Sequence, residues 1–331
     1  MKKWFFRIGL LPCILLVVVL WACTVGQTAI SYAQLWQAFT GLWRDIAQDQ
    51  AAVVLWNIRL PRILTAVFVG AALSVSGATY QGMFRNPLVS PDILGVTAGA
   101  GLGAVIAIYY GLSLLMIQIM AFVTGLLTVF LVYAVSQTAR RQDPVLALVL
   151  SGIAVGSLFG AGIALLKILS DPYSQLTGMT FWLLGGLNMA TLTELKVAVP
   201  LIILGLTPLI LLRWRMNLLS LDDEEAVSLG IDIKRTRLTF ILSATLMTSV
   251  AVSITGIIGW IGLVIPHIAR LWGGPDFRRL LPAAFFIGAG FLVITDTVAR
   301  ALFPIEVPLG IITACIGAPF FLSLLIRGGK G

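Results

Sequence analysis

The chain has 331 residues, of which 59% are hydrophobic and 11% are charged, with a formal net charge of +8. Soluble domains usually contain about 45–50% apolar and about 25% charged residues, so the composition excludes an ordinary soluble fold and predicts a membrane protein. In a soluble protein the positive charge would suggest nucleic acid, but here we expect Lys and Arg on the cytoplasmic side of a membrane and no nucleic-acid partner.

The first predicted span covers residues 8–25, close to the length of about 20 apolar residues that a transmembrane helix needs. Its basic flank and apolar run also resemble a cleaved signal peptide, but the spans that follow favour an uncleaved helix. Residues 26–58 mix tryptophan with charged side chains, which predicts a segment at the outer interface. The second span then runs from about Leu60 to Tyr80.

The middle of the chain contains two further pairs of predicted spans. Residues 93–139 are uncharged and long enough for two spans with a break near 109–111. A fifth span covers 144–169 and begins at a proline, which suits a first helical turn; a sixth covers 197–212. Residues 175–193 are uncharged but interrupted by Gly, Thr and Asn, so we expect a short segment at the outer surface.

The C-terminal part completes the predicted fold class, an all-α polytopic membrane protein with ten transmembrane helices in one domain, 1–331. Residues 238–269 carry no fixed charge, which predicts a full seventh helix and a short eighth, broken near 256–262. The ninth covers about 280–302 and the tenth about 307–326. With ten spans and both termini cytoplasmic, most of the 22 basic residues lie at cytoplasmic ends, as the positive-inside rule requires.

Two segments, 71–95 and 249–273, can be aligned with one another. The alignment pairs Ala72, Ser74, Gly77 and Pro87 with Ala251, Ser253, Gly256 and Pro266. Because an odd number of spans separates them, the alignment predicts an inverted repeat, a feature of transporters whose pathway lies at the repeat interface.

A polar segment, residues 216–237, interrupts the apolar second half. Its acids, Asp222, Asp223, Glu224 and Glu225, begin a short helical pattern and suit the positive end of a helix dipole. Ala226 and Leu229 fall on one face of this pattern, and Gly230 is typical of a helix C-terminal stop. We interpret the segment as two short helices joined at the glycine that dock a partner; a plain solvated loop is the alternative.

The second span is followed by Asn86, Pro87 and Leu88. Asn and Pro do not continue a regular helix readily, so the backbone is expected to break at the cytoplasmic face. Such a break beside a pathway is a candidate inner gate, and an ordinary interhelical turn is the alternative.

Chemistry for catalysis is missing from the sequence. There is no G-x-x-x-x-G-K-[ST] phosphate loop, so any ATP must be hydrolysed by another chain. The single histidine, His267, has no Cys or His partner, and the three cysteines lack metal-ligand spacing. Asp296 is the only candidate for a buried acid. We therefore predict no catalytic residue, no metal site and no cofactor.

Motifs spread over nearly the whole chain carry a family resemblance. They are 59–62 (RLPR), 70–77 (GAALSVSG), 85–88 (RNPL), 91–95 (PDILG), 228–230 (SLG), 259–270 (GWIGLVIPHIAR), 296–300 (DTVAR) and 317–319 (GAP). With these the chain resembles the permease subunits of bacterial ABC importers for iron–siderophore complexes, haem, cobalamin and, in some branches, molybdate. Trp260 stands where that family more often has Phe.

The resemblance implies a homodimer in the bacterial cytoplasmic (inner) membrane, with two cytoplasmic ATP-binding subunits and a periplasmic or lipid-anchored substrate-binding protein. It implies that 216–237 forms coupling helices seated on the ATPase, with Asp222, Glu224, Glu225, Ala226, Leu229 and Gly230 as contact residues. It also makes His267 a structural residue.

The same resemblance assigns Arg59, Arg62 and Arg300, at outer helix ends, to docking of acidic groups on the binding protein. Arginine offers a charged fork that suits carboxylates. The alternatives are snorkelling to lipid headgroups and pairing with Asp296.

The expected function is ATP-driven import of a metal chelate, with iron–siderophore complexes as the default and haem, cobalamin, molybdate or tungstate open. An ion-gradient-driven secondary transporter is the first alternative, and a polytopic membrane enzyme is the second.

Overall fold

The structure, a computed structural model, describes residues 2–26, 28–40, 50–138, 143–302 and 305–328, and within these ranges it contains helices and no β-strand. The helices in chain order are α1 (Lys2–Thr24), α2 (Tyr32–Thr40), α3 (Gln50–Val54), α4 (Leu60–Met83), α5 (Val96–Tyr109), α6 (Leu114–Thr138), α7 (Pro144–Leu169), α8 (Gln175–Leu184), α9 (Leu192–Leu211), α10 (Arg213–Leu219), α11 (Asp223–Ser228), α12 (Ile233–Thr255), α13 (Ile261–Gly273), α14 (Phe277–Ala301) and α15 (Leu309–Gly328). A π-helix, Leu55–Arg59, joins α3 to α4, and a 3₁₀ turn, Pro91–Leu94, precedes α5.

Six helical runs in the described ranges are long and apolar enough to cross a membrane: Gln50–Met83, α6, α7, α9, α12 and α14. Four shorter apolar helices of 10–17 residues lie within α1, α5, α13 and α15. The all-α, membrane-type fold is therefore confirmed.

Several predicted helix boundaries are also confirmed. α5 ends at Tyr109, and α12 ends before Gly256, whose φ of +67° is readily adopted by glycine. α7 begins at Pro144 because the Asp143 side chain caps it, accepting hydrogen bonds from the backbone N–H groups of Val145 and Leu146. The 175–193 segment forms the short helix α8 over 175–184, and its last two residues already belong to α9.

The start of the second span differs from the prediction. Its helical run begins at Gln50 rather than near Leu60, because residues 50–59 stay helical through the π-turn and bury Ala52 and Leu55. The indole N–H of Trp56 donates to the carbonyl of Ala38 at 3.2 Å, which attaches this extension to α2. Part of the predicted interfacial segment, 41–49, lies outside the described residues.

α4 is the central helix, and every residue from Val69 to Met83 is buried. It crosses its neighbours backbone to backbone: a Cβ atom on Gly70 would overlap the carbonyl of Gly288 in α14, and one on Gly77 would overlap that of Gly262 in α13. Small residues at such crossings let helices approach closely in an apolar environment.

Hydroxyl groups of α4 satisfy their hydrogen bonds across these contacts. Ser74 donates to the carbonyl of Ala284 at 2.7 Å, and Ser76 donates to that of Ala244 at 3.1 Å. The hydroxyls of Tyr80 and Thr245 lie 2.9 Å apart. The buried polar groups of α4 therefore reinforce its contacts with α12 and α14.

The aligned segments 71–95 and 249–273 do not share local structure at two of their matched pairs. Gly77 lies inside α4, whereas Gly256 ends α12. Pro87 lies in a turn, whereas Pro266 lies inside α13. The alignment is wrong at these positions, because the same residue type has a different role in each segment: Gly77 allows a helix crossing, for example, whereas Gly256 ends a helix. The inverted repeat stays a hypothesis.

The crossing at Gly77 gives a stability prediction. We expect Gly77→Ala to lower the thermal unfolding midpoint of the purified protein in detergent, since the added methyl overlaps the Gly262 carbonyl and overpacking costs about 1–3 kcal/mol. The matched control is Gly160→Ala in α7, where a Cβ meets no atom within 4 Å. Alanine favours helix over glycine, so the control midpoint should stay level or rise. Equal unfolding midpoints for the two variants would contradict the close contact of Gly77 with the Gly262 backbone.

Candidate functional site

Five charged residues form a cluster at one end of the helical bundle, which we call the arginine cluster: Arg59, Arg62, Asp296, Arg300 and Glu306. The structure brings the three arginines together, as predicted. All three are buried, with 4%, 7% and 7% of their surfaces exposed in chain order. We call this end of the bundle the arginine end.

Arg59 and Arg300 bind the C-terminal end of α1. Nη1 of Arg59 donates to the carbonyl of Cys23 at 2.7 Å, and its Nη2 donates to that of Thr28. Arg300 donates to the carbonyls of Val25 at 2.8 Å and Ala22 at 2.7 Å. The last carbonyls of a helix have no partner within the helix and carry partial negative charge. The two guanidinium groups therefore serve as caps for α1.

Arg62 binds two acids in different environments. Its Nε lies 2.8 Å from Oδ1 of Asp296, and its Nη1 lies 2.8 Å from Oε1 of Glu306. Asp296 also pairs with Arg300, whose Nε lies 3.4 Å from Oδ2. The Asp296 side chain is 1% exposed, whereas that of Glu306 is 42% exposed.

Arg59, Arg62 and Arg300 are not exposed at this end, because their side chains are buried within this chain and donate to its own carbonyls and carboxylates. Their role in docking the binding protein stays a prediction. Burial within one chain persists in any assembly. Arg62 and Arg300 instead pair with Asp296, which was one of the alternatives given by the sequence. The helix-end position was predicted correctly for Arg300, whereas Arg59 and Arg62 lie about ten residues inside the run that begins at Gln50. The sequence does not show that the end of α1 lies beside them.

The two acids that bind Arg62 give a second prediction. Asp296→Ala should destabilise the protein by about 3–5 kcal/mol, since it leaves two buried guanidinium groups without their shared carboxylate. Glu306→Ala removes a half-exposed partner and should cost about 1 kcal/mol or less. Thermal unfolding in detergent measures both, and a cost for Glu306→Ala as large as that for Asp296→Ala would refute this account of the cluster.

The opposite end of the bundle, which we call the α11 end, carries the predicted coupling segment. α11 is the helix that begins among the four acids, and Ala226 is its buried residue at 1% exposure. Leu229 is 58% exposed and does not share that buried face, while Val227 is 59% exposed. The prediction that Ala226 and Leu229 form one docking face is therefore wrong, because Ala226 packs inside the chain itself.

The connection at Gly230 also differs from the prediction. Gly230 has a φ of +80° and ends the turn after α11, but the helix that follows is the long α12. The other short helix of the segment, α10, precedes α11. α12 begins at Ile233 because Asp232 caps it, accepting a hydrogen bond from the backbone N–H of Arg235 at 3.0 Å. It then continues to Thr255 because no helix-breaking residue interrupts it.

Within the part of the chain that the structure describes, two of the four acids around the start of α11 form ion pairs and two do not. Glu224 and Glu225 are exposed. Asp222 and Asp223 accept from Arg85, which follows α4, at 3.0 and 2.5 Å. Arg85 was not predicted as a site residue, because nothing in the spacing of residues that lie so far apart in the chain shows that they meet.

The turn after α4 contains the candidate gate residues. α4 ends at Met83, and the side chain of Asn86 accepts from the backbone N–H of Leu88 at 2.9 Å. Asn86, Pro87 and Leu88 are all exposed. The predicted helix break is confirmed, and its role as a gate stays a prediction.

Two further features bear on ligand binding. Within the described ranges, no group of three or more His, Cys, Asp and Glu side chains is arranged to hold a metal ion. A cavity of about 460 Å³ opens at the arginine end, and its polar lining includes Arg62, Gln118, Asn188, Thr255 and Glu306.

Comparison with known proteins decides the family, because residues 14–327 match the model of the FecCD transport family. The chain belongs to that family. It is 38% identical over 311 residues to the molybdate import system permease protein MolB of Haemophilus influenzae, covering 93% of this chain and 91% of MolB. It is 42% identical over 278 residues to the cobalamin import system permease protein BtuC of Halobacterium salinarum, covering 84% of this chain and 74% of BtuC.

A solved structure matches the fold over its full length. It is an inward-facing conformation of a metal-chelate type ABC transporter, with a TM-score of 0.88, 35% identity, and coverage of 99% of this chain and 100% of that one. The chain is thus a multi-pass membrane permease of the ABC type, a non-catalytic subunit whose ATPase is separate. Its family implies ATPase and substrate-binding partners.

Proposed function

We propose that the chain is the transmembrane subunit of an ATP-driven importer that moves a metal chelate or related compound into the cytoplasm. The observation that carries the proposal is the full-length match to a metal-chelate type ABC transporter at a TM-score of 0.88. An ion-gradient-driven carrier is disfavoured because Asp296, the buried acid that could bind a coupling ion, is committed to Arg62 and Arg300.

The candidate substrates of this chain are taken from the cargoes that its relatives' names state. MolB imports molybdate and BtuC imports cobalamin by name, so the family accepts cargo of different size and charge. We retain an iron–siderophore complex as the first candidate for this chain, followed by haem, cobalamin, and molybdate or tungstate.

The membrane arrangement in this proposal has ten spans, made of the six long helical runs and the four shorter apolar helices. The arginine end faces outwards and the α11 end faces the cytoplasm, with both termini cytoplasmic in the bacterial inner membrane. The α11 end carries eight basic residues, against three in the arginine cluster, and this difference supports the orientation through the positive-inside rule. They are Arg85, Arg213, Arg215, Lys234, Arg235, Arg237, Arg278 and Arg279. Two copies form a homodimer, as the family resemblance implies.

Coupling to the ATPase uses the exposed side of α11. Val227 and Leu229 offer apolar surface, and Glu224 and Glu225 offer charge beside it. Ala226 contributes from the opposite side by holding α11 on the bundle, and Gly230 allows the chain to turn into α12. Asn86, Pro87 and Leu88 form the inner gate.

Docking of the substrate-binding protein uses the arginine end. Arg59, Arg62 and Arg300 support this role indirectly, because they join the ends of α1, α4 and α14 into one surface. Glu306 is the half-exposed charge of that surface.

Reconstituted transport tests the function. Proteoliposomes that contain this chain and the ATPase subunits encoded beside it should take up a radiolabelled ferric siderophore, cobalamin or molybdate only when ATP and the cognate binding protein are both present. Uptake that follows an ion gradient without ATP would overturn the proposal. The compound that the binding protein retains on purification selects the cargo for this assay.

The coupling face gives a further prediction. Leu229→Asp should abolish binding-protein-stimulated ATP hydrolysis, because it places a charge in an apolar contact with the ATPase. Leu229→Met keeps the apolar volume at the same position and should retain that activity. The measurement is ATPase rate in the purified complex, with thermal unfolding of the permease alone as the check that folding is intact. Full stimulation in the aspartate variant would show that Leu229 lies outside the contact.

A further inference from the structure

The side chain of Arg85 joins three separate elements at the α11 end. Its Nε donates to the carbonyl of Leu219, the last residue of α10, at 3.1 Å. Its Nη1 and Nη2 donate to Asp222 and Asp223, at the start of α11, at 3.0 and 2.5 Å. One planar guanidinium group therefore attaches the α10–α11 connection to the end of α4.

The backbone of Arg85 supports a role for its side chain. Its φ is +50°, in the left-handed region, and it follows the C-terminal residue of a helix, where glycine is usual. The flanking hydrogen bonds, Arg85 N–H to Gly82 O at 3.2 Å and Asn86 N–H to Gln81 O at 3.1 Å, form the usual pattern of such a helix end. Glycine would adopt this conformation with less strain, so the contacts of the guanidinium group account for arginine here.

A second arginine extends the connection. Nη2 of Arg237, in α12, lies 2.9 Å from the same Oδ1 of Asp223, and the Arg237 side chain is only 13% exposed. Asp223 is thus held between α12 on one side and the end of α4 on the other. α11 has six residues, so these ion pairs, together with buried Ala226, fix its position.

From this geometry we infer that Arg85 is the positioning residue that transmits movement of α11 to the turn at residues 86–88. A planar guanidinium with three bonds fixes direction as well as distance. Displacement of α11 by a partner therefore displaces the residue directly before Asn86, Pro87 and Leu88. The inference rests on the proposed function, in which α11 contacts the ATPase.

The test measures how nucleotide changes the exposure of the turn. The starting variant carries Leu88→Cys together with Cys13→Ser and Cys315→Ser, which remove the two exposed native thiols. In the complex with its ATPase subunits, the rate at which a membrane-impermeant maleimide labels position 88 is compared with and without ATP and vanadate. We expect a change of about fivefold or more, the lower end of ordinary allosteric coupling.

Arg85→Gly in this background removes the guanidinium and keeps the left-handed backbone accessible. In this variant the labelling rate at position 88 should be the same with and without nucleotide, while the complex still assembles and hydrolyses ATP. Arg278→Ala, an exposed arginine in the first turn of α14, is the matched control and should preserve the effect. A nucleotide effect in Arg85→Gly equal to that of the control would overturn the inference and leave the proposed function intact.

Two other outcomes are also decisive. No nucleotide effect in the starting variant would refute the proposed coupling, and the inference with it. If Arg85→Gly does not assemble, Arg85→Asn replaces it, because asparagine tolerates the left-handed region and also removes the guanidinium group. Loss of the nucleotide effect in the assembled Arg85→Asn variant supports the inference, and an effect equal to that of the control refutes it.

Discussion

The contact of α4 with α13 and α14 at glycine backbones is the constraint on which the rest of the structure depends. Gly70 and Gly77 leave no room for a side chain at the two crossings, so the helices meet at the distance set by their main chains. In an apolar environment this close packing replaces the hydrophobic effect as the force that orders helices. α4 is therefore fixed along its buried length, and the groups at its two ends are fixed with it.

Those ends carry the charged networks. Arg62, near the start of α4, binds Asp296 of α14, and Arg85, just after its end, binds Asp222 and Asp223 before and within α11. The first network is buried, where loss of one partner leaves an uncompensated charge. The second is partly exposed, where ion pairs contribute little stability but can fix geometry when several share one group. The same helix thus joins a buried network at the arginine end to a partly exposed network at the α11 end.

The sequence predicted the helical class and most of the helix boundaries, because apolar length and a proline at a helix start are local signals. It also predicted the helix break at Asn86 and the short helix among the acids of α11. It did not predict which side of α11 is buried, since one turn of helix with both Ala226 and Val227 has no clear periodicity.

The exposure of the arginines was predicted wrongly for a related reason. A guanidinium at a helix end looks the same in sequence whether it faces solvent or caps another helix. The carbonyls that bind Arg59 and Arg300 belong to α1, so the environment of these arginines depends on tertiary packing. Arg85 was missed for the same reason, since its partners in α10 and α11 lie far along the chain.

The π-helix at Leu55–Arg59 has a consequence for chain length in this region. Each residue of an α-helix turns the chain by about 100°, so deleting one residue here would restore a regular helix and rotate everything before it by about that angle. Trp56 would then leave the carbonyl of Ala38, and α2 would lose its attachment to the central helix. Substitutions between Trp56 and Arg59 keep this geometry available, whereas a one-residue deletion removes it. Related chains should therefore conserve the number of these residues even where the two residues between Trp56 and Arg59 differ.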